Sequence, residues 1–243
     1  MIENTSLVAL SRQVAMQREM SVIANNISNV NTMAFKADDM LFREYITEPR
    51  NAESPISFVL DVGTVRNFAQ GHAMSTSNPL DIMISGEGFL SVITDSGVQY
   101  TRRGDMKVDS SGQLTNNDGN PILGEGNAPI VIDKDNPQLT ISSDGTVSDS
   151  NGKIGRLSVV TFANNQDLIP TINGLYTTNQ SAFPVDDTEI VQGFLEGSNV
   201  SAVQEITRMV ELSRSYAATQ NLMQSESEMR RRIITRLGRV ALV

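Results

Sequence analysis

Cysteine and tryptophan are absent from the 243 residues, and His72 is the only histidine. Without thiols there is no disulfide framework, thiol nucleophile or zinc ribbon, so the chain is compatible with either redox compartment. One histidine and no cysteine also supply too few ligands for a zinc hydrolase. His72 lies between Gly71 and Ala73 with no carboxylate partner visible in the sequence, and it is read as a turn residue. No apolar run approaches the roughly 20 residues of a membrane span, and residues 1–5 lack the basic start and apolar core of a secretory signal. Basic residues are the minority, with 19 Lys and Arg against 28 Asp and Glu for a net charge of -9. That balance excludes a general nucleic-acid binder, because the phosphate backbone selects for positive charge.

Glycine and proline are missing from both ends. The first proline is Pro49, the first glycine is Gly63, and all glycines except Gly238 lie from Gly63 to Gly197. Both ends are therefore read as helical and the middle as turn-rich. The length suits one large domain or two modest ones.

The C-terminal helix is entered through Ser198, Asn199 and Ser201, all good N-cap types, and Gly238 is its natural stop. At about 1.5 Å per residue it reaches roughly 60 Å, so it must find partners along its length. Val203, Ile206, Val210, Ser213 and Ala217 fall on one stripe, and Met209, Tyr216 and Met223 on an adjacent one. Gln204, Arg208, Glu211 and Ser215 form the expected polar side. In the N-terminal segment Met16, Met20, Ile23, Ile27 and Val30 make one stripe, while Leu7, Leu10 and Val14 fall on nearly the opposite face. A single helical partner covers only one face, so the other requires a further element or subunit.

Between these ends the chain offers short strands: 56–62, 88–93, 98–101, 129–132, 139–141 and 157–162. Ser96-Gly97, Ser111-Gly112, Asp118-Gly119, Asp144-Gly145 and Asn151-Gly152 are turn pairs suited to hairpins.

Familiar catalytic and ligand patterns fail on particular residues. Gly86 and Gly88 are followed by Ser91 where a dinucleotide fingerprint needs glycine. Asp133 and Asp135 begin like a calcium loop, but Pro137 and Gln138 stand where a ligand and a glycine belong. No nucleophile elbow is present. The pairs Asp38-Asp39 and Asp186-Asp187 are read as solvated surface. Arg230, Arg231 and Arg232 sit near a helix C-terminus, where cations suit the dipole.

The pattern from Ala24 to Lys36, with Asn25, Asn26, Asn29, Thr32, Phe35 and Lys36, resembles the N-terminal signature of the bacterial flagellar rod and hook family. Leu195, Glu196, Gly197, Ser198, Asn199 and Val200 are similar to the family's C-terminal signature. Gly86 to Leu90, Tyr100 to Gly104, Gly119 to Gly124 and Gly174 to Tyr176 extend the likeness over nearly the whole chain. The family usually has glycine before the Phe, and here Ala34 stands in its place. Alanine tolerates positive φ poorly, so no left-handed residue is expected there.

The resemblance implies an α+β fold. A discontinuous, coiled-coil-like helical domain would come from residues 1–35 and 198–243, an extended connecting segment from 36–78, and a mainly antiparallel β domain from 79–197. It implies a structural rod subunit of the flagellar basal body, in the periplasm-spanning rod and exported by the flagellar type III apparatus. Length and the Ser11-Arg12-Gln13 motif favour a proximal over a distal rod position, and no large middle insertion suggests a hook protein. Partners would be other copies and neighbouring rod proteins, with no nucleic acid, membrane insertion, small-molecule substrate, cofactor, metal or catalytic residue. The expected assembly interface comprises Leu7, Leu10, Val14, Met16, Met20, Ile23 and Ile27 on one helix, with Val203, Ile206, Met209, Val210, Tyr216, Ala217 and Met223 on the other. The rival reading is a carbohydrate-active enzyme or adhesin built on the β domain, which would need two facing carboxylates in a concave site.

Overall fold

The computed structural model describes residues 2–47, 56–133, 139–185 and 188–240. Two compact units emerge, each assembled from separate stretches of chain. The first comprises Met1–Ser28, Asp38–Asn67 and Ser201–Val243; the second comprises Asn29–Ala37 and Phe68–Val200. With two long helices and strand pairs that are all antiparallel among the described residues, the class is α+β.

In the first unit, helix α1 (Ile2–Ser28) packs against helix α2 (Ala202–Val240) and against a hairpin of strands β1 (Asp38–Thr47) and β2 (Ile56–Arg66). The helices run antiparallel, since Asn26 meets Glu205 while Met20 meets Ser213. Met16 and Ile23 are buried along α1, with Ala9 and Ala15 beside them, whereas Leu7, Leu10 and Val14 on the other face are about half exposed. On α2 the heptad-spaced Met209, Tyr216 and Met223 are half buried, and Val203, Ile206, Val210 and Ala217 are exposed. The two stripes thus separate into an inner and an outer one. Arg208 and Ser215, expected on a polar outer side, are half buried, because Arg208 has carboxylates to meet there. Helix α2 also continues through Gly238 to Val240, so that glycine does not end it.

The hairpin replaces most of the expected connecting segment. Its register runs from Asp38 opposite Arg66 to Thr47 opposite Ile56, and Val62 is the extra residue of a bulge between the Leu41–Gly63 and Phe42–Asp61 pairs. Residues 38–47 and 56–66 pair along their whole length, a match that turn signals alone did not reveal.

The second unit is built on a six-stranded sheet in the order Ile169–Pro170, Leu175–Thr177, Gly97–Thr101, Phe89–Thr94, Val159–Thr161, Phe183–Pro184. Both edge strands are two residues long and end in proline, which lacks the N–H needed to extend a ladder. Smaller antiparallel pairs surround a core that includes Ile82, Leu90, Val92, Leu114, Ile122 and Val147. Phe68, Phe89, Tyr100, Phe162 and Tyr176 form an aromatic cluster with tilted and edge-on contacts. The glycines of all five proposed turn pairs have positive φ. Residues 129–132, expected as a strand, make only isolated bridges through Pro129 and Val131.

Candidate functional site

Lys36 and Glu196, one in each signature segment, lie 160 residues apart in the chain, and the fold brings residues 29–37 and 195–200 together inside the β unit. After α1 the backbone turns: the Thr32 N–H donates to the Asn29 carbonyl at 3.1 Å and the Phe35 N–H to the Thr32 carbonyl at 3.3 Å. Ala34 then adopts φ 55°, against expectation. The left-handed region costs an L-residue roughly 1–2 kcal/mol. It is held there because the turn aims the buried Ala34 N–H at the Glu196 carbonyl, 2.8 Å away.

Two residues on, Lys36 enters the interior, where its Nζ lies 2.6 Å from Glu196 Oε1 and donates to the Ala69 carbonyl at 2.8 Å. Arg102 approaches the other carboxylate oxygen, with Nε 2.8 Å from Glu196 Oε2. Its remaining donors reach the carbonyls of Ile84, Gly86 and Gly88. The Gly71 N–H completes the set by donating to Glu196 Oε1 at 2.9 Å. All three charged side chains are at least 96 % buried. Burial pushes the Lys36 ammonium below its ordinary value despite the opposing pull of Glu196. Burial pushes Glu196 upward, but Arg102, Lys36 and the Gly71 N–H overcome it and hold the carboxylate below its ordinary range.

The rest of the C-terminal signature stitches the same strands. Asn199 Oδ1 accepts from the Ala37 N–H at 2.8 Å, its Nδ2 donates to the Ala69 carbonyl, and its N–H donates to the Phe35 carbonyl. Buried Ser198 accepts from the Val200 N–H through Oγ, and buried Leu195 pairs with Met74. Gly197 donates to the His72 carbonyl, and an added Cβ would collide with the His72 ring, so His72 caps a backbone crossing. Asn25 and Thr32 are exposed and Asn29 is half buried; Thr32 Oγ1 donates to Asn29 Oδ1.

A second polar cluster lies in the helical unit. Buried Asn26 donates through Nδ2 to the Asp38 carbonyl and to Glu205 Oε2, and its Oδ1 accepts from the Asp38 N–H. Arg208 joins Glu205 at 3.1 Å and Asp39 at 3.0 Å, and Asp38 pairs with Arg66 at 3.0 Å. Asp38 and Asp39 are therefore ion-pair partners, not the free surface pair expected. Arg230 is half buried and engaged, while Arg231 and Arg232 are exposed.

Among the expected interface residues, Met16 and Ile23 are buried within the chain and belong to its internal packing. Met20, Ile27, Met209, Tyr216 and Met223 are half buried, and the outer residues of both helices are open.

For the rival enzyme reading, Glu125 and Asp144 line one small cleft of about 50 Å³. Arg156 sits with them, its Nη1 2.9 Å from Glu125 Oε1. Asp144 is held below its ordinary value by the Thr146 N–H and hydroxyl, the reverse of what a glycosidase acid needs. Residues 134–138 and the pair Asp186-Asp187 lie outside the described residues. No helix among those described is long and apolar enough to cross a membrane.

Comparison with known proteins matches three family models: flagella basal body rod protein at residues 7–36, flagellar hook protein FlgE/F/G D1 domain at 83–149, and flagellar basal body rod FlgEFG protein C-terminal at 191–236. The flagellar basal-body rod protein FlgF of Caulobacter vibrioides is 37% identical over 98% of this chain and 100% of its own length. FlgF of Mesorhizobium japonicum is 29% identical over 98% and 99% of the two chains. The rod protein FlgG of Bacillus subtilis is 29% identical over 90% and 93%.

Proposed function

Because the chain belongs to the flagellar basal-body rod protein family, we propose that it is a structural subunit of the proximal rod, of the FlgF type. The full-length match to FlgF relatives favours that position over the distal, FlgG-type one. The subunit is exported through the flagellar apparatus, joins other copies and neighbouring rod proteins in the periplasm-spanning shaft, and acts on no substrate or nucleic acid.

The observation that carries this reading is the sorting of apolar stripes on the two terminal helices. Met16, Ile23, Met209, Tyr216 and Met223 hold α1 and α2 together as a coiled-coil-like pair, leaving Leu7, Leu10 and Val14 on one helix and Val203, Ile206, Val210 and Ala217 on the other facing outward. An apolar face left open along both helices is a seam for neighbouring subunits.

Substituting Ile206→Asp tests the seam. Ile206 is 52% exposed, so the isolated protein should keep its stability within about 0.5 kcal/mol. A carboxylate buried between subunits costs several kcal/mol at each contact. The expected outcome is exported protein, no rod beyond it and non-motile cells, while Glu211→Gln cells swim. Normal swimming of Ile206→Asp cells would remove α2 from the interface.

A further inference from the structure

The sequence holds two Asn-Gly pairs, Asn151-Gly152 and Asn173-Gly174, and the fold treats them in opposite ways. An asparagine followed by glycine has one reaction open to it without an enzyme: the glycine nitrogen attacks the asparagine Cγ and closes a cyclic imide. Glycine favours the closure because it places no Cβ beside the forming ring. Both asparagines are exposed, so access to water does not separate them.

Asn173 is tied down. Its Nδ2 donates to Asp118 Oδ1 at 3.0 Å, its carbonyl accepts from Arg103 Nη1 at 3.1 Å, and the Gly174 carbonyl accepts from Thr101 Oγ1 at 3.0 Å. Space is short as well, since a Cβ at Gly174 would lie 3.1 Å from Arg103 Cδ. Closing a ring here means breaking the bond to Asp118 and moving a backbone held at two successive carbonyls.

Asn151 sits at the tip of the hairpin formed by Thr146–Asp149 and Gly152–Arg156, where Asp149 opposes Gly152. Its side chain has no hydrogen bond among the described residues, and the space a Cβ would take at Gly152 is open to 4 Å. Asp149 Oδ1 accepts from the Asn151 N–H at 2.8 Å and from the Gly152 N–H at 3.0 Å. The attacking nitrogen is thus already hydrogen-bonded to a carboxylate, in reach of a base.

We propose that Asn151 is a site of spontaneous deamidation, with Asp149 as the proton acceptor, and that Asn173 is protected from it. As the bond from Gly152 N to Asn151 Cγ forms, the Gly152 proton passes to Asp149 Oδ1. As the Cγ–Nδ2 bond breaks, that proton leaves with Nδ2 as ammonia. Water then opens the imide at either carbonyl, giving aspartate or isoaspartate at position 151. The product adds a negative charge to a chain whose net charge is already -9. In the isoaspartate form the main chain is also lengthened within the turn that sets the Asp149–Gly152 register.

The purified full-length chain, held in mildly alkaline buffer with and without urea and followed by peptide mass spectrometry, tests this. In the folded protein Asn151 should be lost at least about tenfold faster than Asn173, the factor for breaking a hydrogen bond to a charged group. In urea the gap should close. Equal rates in the folded protein, faster loss at Asn173, or a gap undiminished in urea would each overturn the proposal. Asp149→Asn keeps an acceptor oxygen in the turn but no base, so it should slow the loss of Asn151 in the folded chain and leave it unchanged in urea. An unchanged or faster loss in the folded variant would show that the carboxylate restrains Gly152 instead of taking its proton, and would overturn the role given to Asp149. The comparison of the two asparagines needs no variant, so it decides the site whatever Asp149→Asn does to folding.

Discussion

Lys36 and Glu196, drawn from the two ends of the chain, meet at 2.6 Å in an interior from which water is excluded. The contact joins a cation that follows α1 in the chain to an anion that precedes α2. Arg102 supplies the second cation, so the cluster carries one positive charge in excess, and the carbonyls of Ala69, Ile84, Gly86 and Gly88 solvate the two cations.

Removing the anion should therefore be severe. Glu196→Gln leaves Lys36 and Arg102 buried without a counter-charge, a change that costs about 3–5 kcal/mol. Lys36→Met leaves Glu196 paired with Arg102 and should cost less. Urea unfolding of the isolated proteins gives both values, and an equal or larger loss in Lys36→Met would show that Arg102 does not hold the carboxylate.

The same carboxylate sets an acid limb. Its folded pKa is depressed, so its contribution is present above the unfolded glutamate value of about 4.3 and is lost as pH falls through the lower folded value. The stability difference between wild type and Glu196→Gln should be constant above about pH 5 and shrink below it. Unfolding midpoints followed from pH 7 to pH 3 would reveal this; a gap that does not narrow would contradict it.

Ala34 offers a gain. At φ 55° alanine is strained, and glycine enters this region freely at the cost of a more disordered unfolded chain. Ala34→Gly should stabilise by up to about 1 kcal/mol, and Ala34→Val should destabilise. Calorimetric melting of the three proteins decides the order.

In the helical unit, Asn26 donates and accepts at once. Asn26→Asp turns its donors into a charge facing Glu205, and should cost about 2 kcal/mol or more. Ile23→Ala, at a site 1% exposed, should cost 2–5 kcal/mol. Leu10→Ala, on the open face, should stay within about 0.5 kcal/mol in the isolated chain. Comparable losses at Ile23 and Leu10 would mean that α1 is covered on both faces.

How much of this could be read in advance depends on the range of the cause. Turn glycines such as Gly97 and Gly145 respond to local sterics, and they were legible. So were the helices, whose stripes repeat within a few residues. The β1–β2 hairpin was not, because its register joins Asp38 to Arg66 and no local rule selects that partner. Lys36, Glu196 and Arg102 stood in recognisable segments, yet their meeting is a property of the folded chain alone. Ala34 was misread because local preference pointed away from positive φ, while the hydrogen bond that overrides it comes from the far end of the sequence.

The prolines at the two borders of the six-stranded sheet matter most when many copies stand together. Copies held side by side bring sheet edges close to one another, and an unpaired edge is a template for strand addition. Pro170 and Pro184 leave no donor at those positions for an incoming strand. The six-stranded sheet can thus stand beside its twins without offering them a ladder to extend at either proline.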